Sequence, residues 1–177
     1  PLEKIMKYLR LAAGCVALLL VAASASAQQT IFVVRHAERA DPPPAAGAAM
    51  TAPSNDPSLS AAGHERAARL ASMLRSANVK YIFVTEFQRT RQTAAPLAQA
   101  RQLETVSVPG KEPDALIAGL RGLKGNILIV GHSNTVPDIL KRLGVKEEIA
   151  IADSEFDNLF VVVRPEAGEA TLVKLRY

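Results

Sequence analysis

The chain has one cysteine, no tryptophan and only three Tyr and five Phe as aromatics. A single thiol excludes an internal disulfide and a cysteine-rich zinc site. So few rings argue against base stacking as a way of gripping nucleic acid, and they leave Ala, Val, Leu and Ile to build the core. The three histidines form no His-x-x-x-His pair, which removes the commonest zinc-hydrolase signature. Nor is there an excess of one charge: the formal net charge is +4 over 177 residues, too little for a broad nucleic-acid face. A chain this long suits one domain with a proper core.

Long apolar runs are also missing, with one short exception. From Met6, read as the natural start, a basic stretch "KYLR" precedes "LAAGCVALLLVAA" and then "SASA". The apolar part falls short of the roughly 20 residues that span a bilayer. The three-part order is that of a secretory signal peptide over residues 1–27, cleaved after Ala27. Cleavage would remove Cys15 and take the net charge from +4 to +2, since three basic residues and one acidic residue go with the segment. The expectation is an exported domain, residues 28–177, periplasmic or secreted, with no stable membrane anchor and no nucleic-acid partner.

Three short runs, "TIFVV" (30–34), "YIFVT" (81–85) and "NILIVG" (126–131), are rich in Val, Ile and Phe without polar alternation. That pattern belongs to strands buried on both faces in a parallel sheet. Helical patterns lie between them: 60–78 with Ser60 as N-cap, 89–100 interrupted by Pro96, 113–123, and 135–144 with Thr135 as cap and Gly144 as stop. The last stretch, "NLFVVVRPEAGEATLVKLRY", predicts an antiparallel hairpin at a sheet edge. Together these predict a three-layer α/β/α sandwich with a mostly parallel sheet. Residues 40–57, with prolines at 42, 43, 44, 53 and 57, form no regular element and are either a surface loop or a lid.

Ligands of open α/β sheets bind beyond the carboxyl ends of the strands. There the first run leads into Arg35 and His36, the second toward Arg89, and the third into His132. Guanidinium forks match phosphate oxygens, and the N-terminus of the helix after Thr135 is expected to add backbone N–H groups. Cationic neighbours disfavour imidazolium and so keep His36 neutral and nucleophilic. Attack on phosphorus would give a phosphohistidine, with Arg35, Arg89 and His132 stabilising the equatorial oxygens. His64, within a helical pattern, is read as a surface residue.

In order, "VVRHAER", "LSAAGHERA", "RTRQTA" and "VGHSNTVP" resemble the motifs of the histidine phosphatase superfamily, the phosphoglycerate-mutase-like fold. The likeness covers nearly all of residues 30–163. It implies His36 as nucleophile, Arg35 and Arg89 on phosphate, and His132 as the second histidine. Some phosphatases of that family carry Arg-His-Gly-Glu-Arg with the last Arg also on phosphate. Arg39 holds that place here, and Ala37 replaces the Gly. Asn134 is a further candidate phosphate contact. For the proton donor to the leaving alkoxide the family draws on the segment before the second histidine, which offers Glu104, Glu112 and Asp114. Glu112 is favoured by position, with Glu38, Asp153 and Glu155 as substitutes. The implied activity is metal-independent hydrolysis of a phosphate ester on a small molecule or envelope component, without a cofactor.

Two other readings compete. "GHSNT" approaches the G-x-S-x-G elbow of serine hydrolases, with Ser133 as nucleophile, but Thr135 stands where close packing wants Gly and the Arg-His pair goes unused. A non-catalytic phosphoryl-ligand binding module of the same fold would need no proton donor.

Overall fold

The computed structural model describes residues 28–40, 56–165 and 168–177; residues 1–27, where the sequence predicts a signal peptide, and most of the proline-rich stretch lie outside them. Among the described residues, six strands form one sheet: β1 (Gln29–Arg35), β2 (Val79–Val84), β3 (Thr105–Ser107), β4 (Asn126–Gly131), β5 (Asn158–Arg164) and β6 (Thr171–Arg176). Their order is β3-β2-β4-β1-β5-β6. The first four in that order run parallel, while β5 is antiparallel to β1 and to β6. The helices are α1 (Ala61–Met73), α2 (Gln88–Arg101), α3 (Pro113–Gly119) and α4 (Val136–Arg142).

Alternate strand residues point to opposite faces, and both faces are covered. On one, Ile31, Val33, Phe83, Ile127, Ile129, Phe160 and Val162 pack with Leu116, Leu120, Ile139, Leu140 and Leu143 in and just after α3 and α4. On the other, Phe32, Val34, Ile82, Val84, Leu128 and Val130 pack with Leu70 and Leu74 of the α1 region and Ala94 and Leu97 of α2. This double burial is why the central strands show no polar alternation. The architecture is the expected three-layer sandwich with an antiparallel edge pair.

Three details depart from the sequence reading. The helix α2 runs through Pro96 without a break, giving up one backbone bond there. Strand β3 has no counterpart among the expected elements; its three residues are all exposed, too short for a burial pattern. At Thr135 the side chain makes no cap bond to its own helix but accepts from the His132 backbone N–H at 2.9 Å. The N–H groups of Thr135 and Val136 both turn back to the His132 carbonyl (3.1 and 2.9 Å), so neither is offered to a ligand.

What positions the site is strand register. Arg35 of β1 is level with Gly131 of β4, and Phe83 of β2 with Ile129 of β4. Three parallel strands therefore end at one height, and the His36 N–H reaches the Gly131 carbonyl at 2.9 Å. From α4 the chain returns across this end before entering β5, bringing residues 152–156 over the tip of β1.

Candidate active site

At the carboxyl ends of β1, β2 and β4 lies an open cleft of about 770 Å³. Its lining includes Arg35, His36, Arg39, Arg89, His132 and Asn134, six of the residues picked out in the sequence, with Ser133 beside them. The rings of His36 and His132 are 5.3 Å apart between centroids, inclined at 64°. Both histidines are buried, as is Arg35.

The tautomer of His36 follows from its partner. Its Nδ1 lies 2.7 Å from the Ala37 carbonyl, which can only accept, so Nδ1 carries the proton and Nε2 the lone pair. Burial, against that hydrogen bond and reinforced by His132, Arg89 and Arg35, pushes the His36 pKa down to about 3. The Ala37 backbone is held in turn by Thr93, whose Oγ1 accepts from the Ala37 N–H at 2.9 Å and donates to the Arg89 carbonyl at 2.7 Å.

The second imidazole is fixed by threonines. Its Nε2 meets Thr85 Oγ1 at 3.0 Å, and Thr85 Oγ1 meets Thr90 Oγ1 at 3.0 Å. Thr90 donates to the Phe87 carbonyl at 2.8 Å. The chain is consistent if Nε2–H donates to Thr85, which leaves Nδ1 as acceptor facing Arg89 NH2, 3.5 Å away. Burial and Arg89 lower the His132 pKa to about 4. Neither histidine is engaged with Ser133, so the hydroxyl has no general base and the elbow reading loses its support.

Arg35 is half committed. Its NH1 donates to the carbonyls of Ala152, Asp153 and Glu155 at 2.9–3.0 Å, and its guanidinium lies 4.0 Å over the Phe156 ring. Arg89 stacks over Phe87 at 4.2 Å, with its NH1 3.8 Å from Asp56. The buried Nε atoms of both arginines find no hydrogen-bond acceptor among the described residues. Burial lowers both guanidinium pKa values, yet both remain cations. Two guanidiniums lining one cleft beside an unprotonated imidazole nitrogen suit an oxyanion.

The motif "LSAAGHERA" works from behind. Ser60 caps α1 by accepting from the Gly63 N–H at 3.1 Å, while its own N–H binds the Glu38 carbonyl at 2.9 Å. Arg66 clamps both Glu38 oxygens at 2.6–2.9 Å, which keeps that carboxyl below its ordinary range. His64 lies on the exposed face of α1. Arg39 is exposed, lines the cleft and bridges to Leu59.

The expected proton donor is placed differently. Glu112 stands at the N-cap of α3 and does not line the cleft. Glu104, Asp114 and Glu155 do not line it either; the carboxylates that do are Glu38, Glu86 and Asp153. Glu86, Phe87, Phe156 and the carbonyls of residues 152–155 were not singled out from sequence. Glu86 and Phe87 sit inside the run "TEFQRTRQT", so position alone marked them; backbone carbonyls leave no trace in a sequence. Among the described residues no cluster of three or more His, Cys, Asp or Glu is arranged to hold a metal ion.

The family model of the histidine phosphatase superfamily (branch 1) matches residues 31–110. No curated protein matches the chain in sequence. Among solved structures, the protein histidine phosphatase SixA complexed with tungstate superposes with a TM-score of 0.63 at 18% identity, over 83% of this chain and 96% of that one. The alpha-ribazole phosphatase from Shigella flexneri gives 0.62 at 17% identity, over 84% and 96%. Phosphoglycerate mutase from Plasmodium falciparum gives 0.56 at 15% identity, over 84% and 90%. The fold is phosphoglycerate-mutase-like, and the resemblance to the histidine phosphatase superfamily holds in motif and in architecture.

Proposed function

We propose that this chain, with its histidine phosphatase fold, is a phosphomonoesterase that works through a phosphohistidine on His36. The carrying observation is the neutral His36, its Nε2 lone pair set by the Nδ1–Ala37 hydrogen bond, beside two guanidiniums whose buried Nε donors lack acceptors. Both guanidiniums line the cleft together with His36, so a phosphoryl group held between them would present phosphorus to Nε2. Negative charge spreading over the equatorial oxygens is then met by Arg35 and Arg89, the latter steadied by His132 Nδ1, and Arg39 and Asn134 line the same cleft. The positive charge needed at the phosphoryl oxygens is supplied by side chains, so the proposed reaction requires no metal and no cofactor. Tungstate, the oxyanion in the SixA structure, is in keeping with such a receptor. The named activities of the structural neighbours differ among themselves, so the substrate class proposed stays broad: a phosphorylated small molecule or envelope component.

The test is turnover of p-nitrophenyl phosphate by residues 28–177 in the presence of EDTA, with phosphoenzyme trapped in parallel and checked for the acid lability and base stability of a phosphohistidine. Wild type should hydrolyse the ester and yield phosphohistidine, and His36→Ala should do neither. Equal rates would remove His36 from the mechanism, and phosphate binding without turnover across a panel of esters would favour the binding module. Export is part of the proposal: mature protein recovered from the periplasm or medium should begin at Gln28.

A further inference from the structure

Among the described residues three carboxylates line the cleft, Glu38, Glu86 and Asp153, and strand order separates their roles. In the sheet β4 lies between β1 and β2, so the groups above the strand ends stand in a row: His36 after β1, His132 after β4, Glu86 after β2. Adjacent strands are about 4.8 Å apart, which puts the stems of His36 and Glu86 roughly 10 Å from each other. That spacing is right for an in-line displacement, in which the nucleophile and the group that protonates the leaving oxygen face each other across phosphorus.

The other two carboxylates are excluded by position or partner. Glu38 is held by the bidentate Arg66 contact and kept ionised. Asp153 comes from the chain entering β5, which lies on the far side of β1, and its own carbonyl accepts from Arg35. It therefore sits on the nucleophile's flank, where no leaving group departs. Glu86 is anchored through one oxygen only, Oε2, which accepts from the Gly110 N–H at 2.8 Å. Gly110 itself packs beside Thr85 and His132: a Cβ placed on it would lie 3.5 Å from Thr85 Cγ2 and 3.7 Å from His132 Cδ2. The carboxylate also acts on the charges of His132 and Arg89.

We infer that Glu86 is the proton donor to the leaving oxygen and the base of the second half-reaction, an assignment that rests on the phosphohistidine reading. In the first step His36 Nε2 forms the P–N bond as the P–O bond to the leaving group breaks. The Glu86 proton passes to the departing oxygen, leaving a carboxylate. In the second, that carboxylate takes a proton from water as the water oxygen attacks phosphorus and the P–N bond breaks, releasing inorganic phosphate and restoring neutral His36.

The experiment is a leaving-group series, from an alkyl phosphate through phenyl phosphate to 2,4-dinitrophenyl phosphate, on wild type, Glu86→Gln and Asp153→Asn. Glu86→Gln should lose about 10²- to 10⁴-fold with the alkyl ester and much less in phosphoenzyme formation from the dinitrophenyl ester, whose leaving group needs no proton. Asp153→Asn should keep the wild-type dependence on leaving-group basicity. If Glu86→Gln follows the wild-type series while His36 is still phosphorylated, the assignment to Glu86 is overturned and the phosphohistidine reading survives. If wild type traps no phosphohistidine from any ester, both fall. Glu86→Asp, with the carboxyl drawn back by one methylene, should recover part of the alkyl-ester rate, which a purely structural role for Glu86 would not produce.

Discussion

Arg89 does three things at once: it offers an unmatched Nε donor, faces His132 Nδ1 and stacks on Phe87. Arg89→Ala should lower kcat/KM by about 10²- to 10³-fold, the usual scale for removing one donor aimed at a developing oxyanion. Arg89→Lys should recover little, because a point charge replaces a planar fork. Steady-state kinetics on p-nitrophenyl phosphate checks both, and an unchanged rate would place Arg89 outside the reaction. The residues that meet in the cleft were legible to different degrees. Arg35, His36 and His132 could be read because each follows directly on an apolar run, so the strand's end locates the side chain. Thr85, Thr90 and Thr93 could not, since a threonine at a strand end or on a helix face has a bland reading in every case. Glu86 drew no notice because its place beside His132 comes from the order of strands in the sheet, which distance along the chain does not give.

Helix α1 has its first turn pressed against the strand-to-loop turn that carries His36. A Cβ on Gly63 would fall 2.1 Å from the Glu38 carbonyl oxygen, which is backbone and has no rotamer to yield. Gly63→Ala should therefore cost about 1–3 kcal/mol of stability, seen as a lower urea midpoint. It should also slow turnover, because relief requires moving residues 36–39. His64→Ala, one residue further on, should leave both nearly unchanged, as His64 faces solvent. At this scale the sequence was most informative where burial is complete: β1, β2 and β4 were recognisable as continuous apolar runs. It was least so for β3, and at Pro96, where tertiary packing of Thr93, Ala94 and Leu97 overrides the proline's local preference.

Taken as one cooperative unit, the protein buries two imidazoles in neutral form, and this links its stability to pH. In the unfolded chain both titrate near 6.5; folded, they titrate at about 3 and about 4. Between these values the unfolded chain binds protons that the native state does not, so stability rises with pH through this window and falls on acidification. Each histidine contributes a slope of up to about 1.4 kcal/mol per pH unit. Melting temperature should drop between pH 7 and pH 4.5, and His36→Asn should flatten that dependence; a melting temperature independent of pH here would mean the rings are solvated. Strand direction matters in another practical respect. Because β1 climbs toward the cleft, Gln28 leaves from the opposite pole, whereas β6 climbs the same way and delivers Tyr177 beside Arg66, whose NH1 holds its carbonyl oxygen at 2.8 Å. A fusion or surface tether joined through residue 28 thus leaves the catalytic mouth pointing outward, while one joined after residue 177 presses on the Arg66–Glu38 clamp that steadies it.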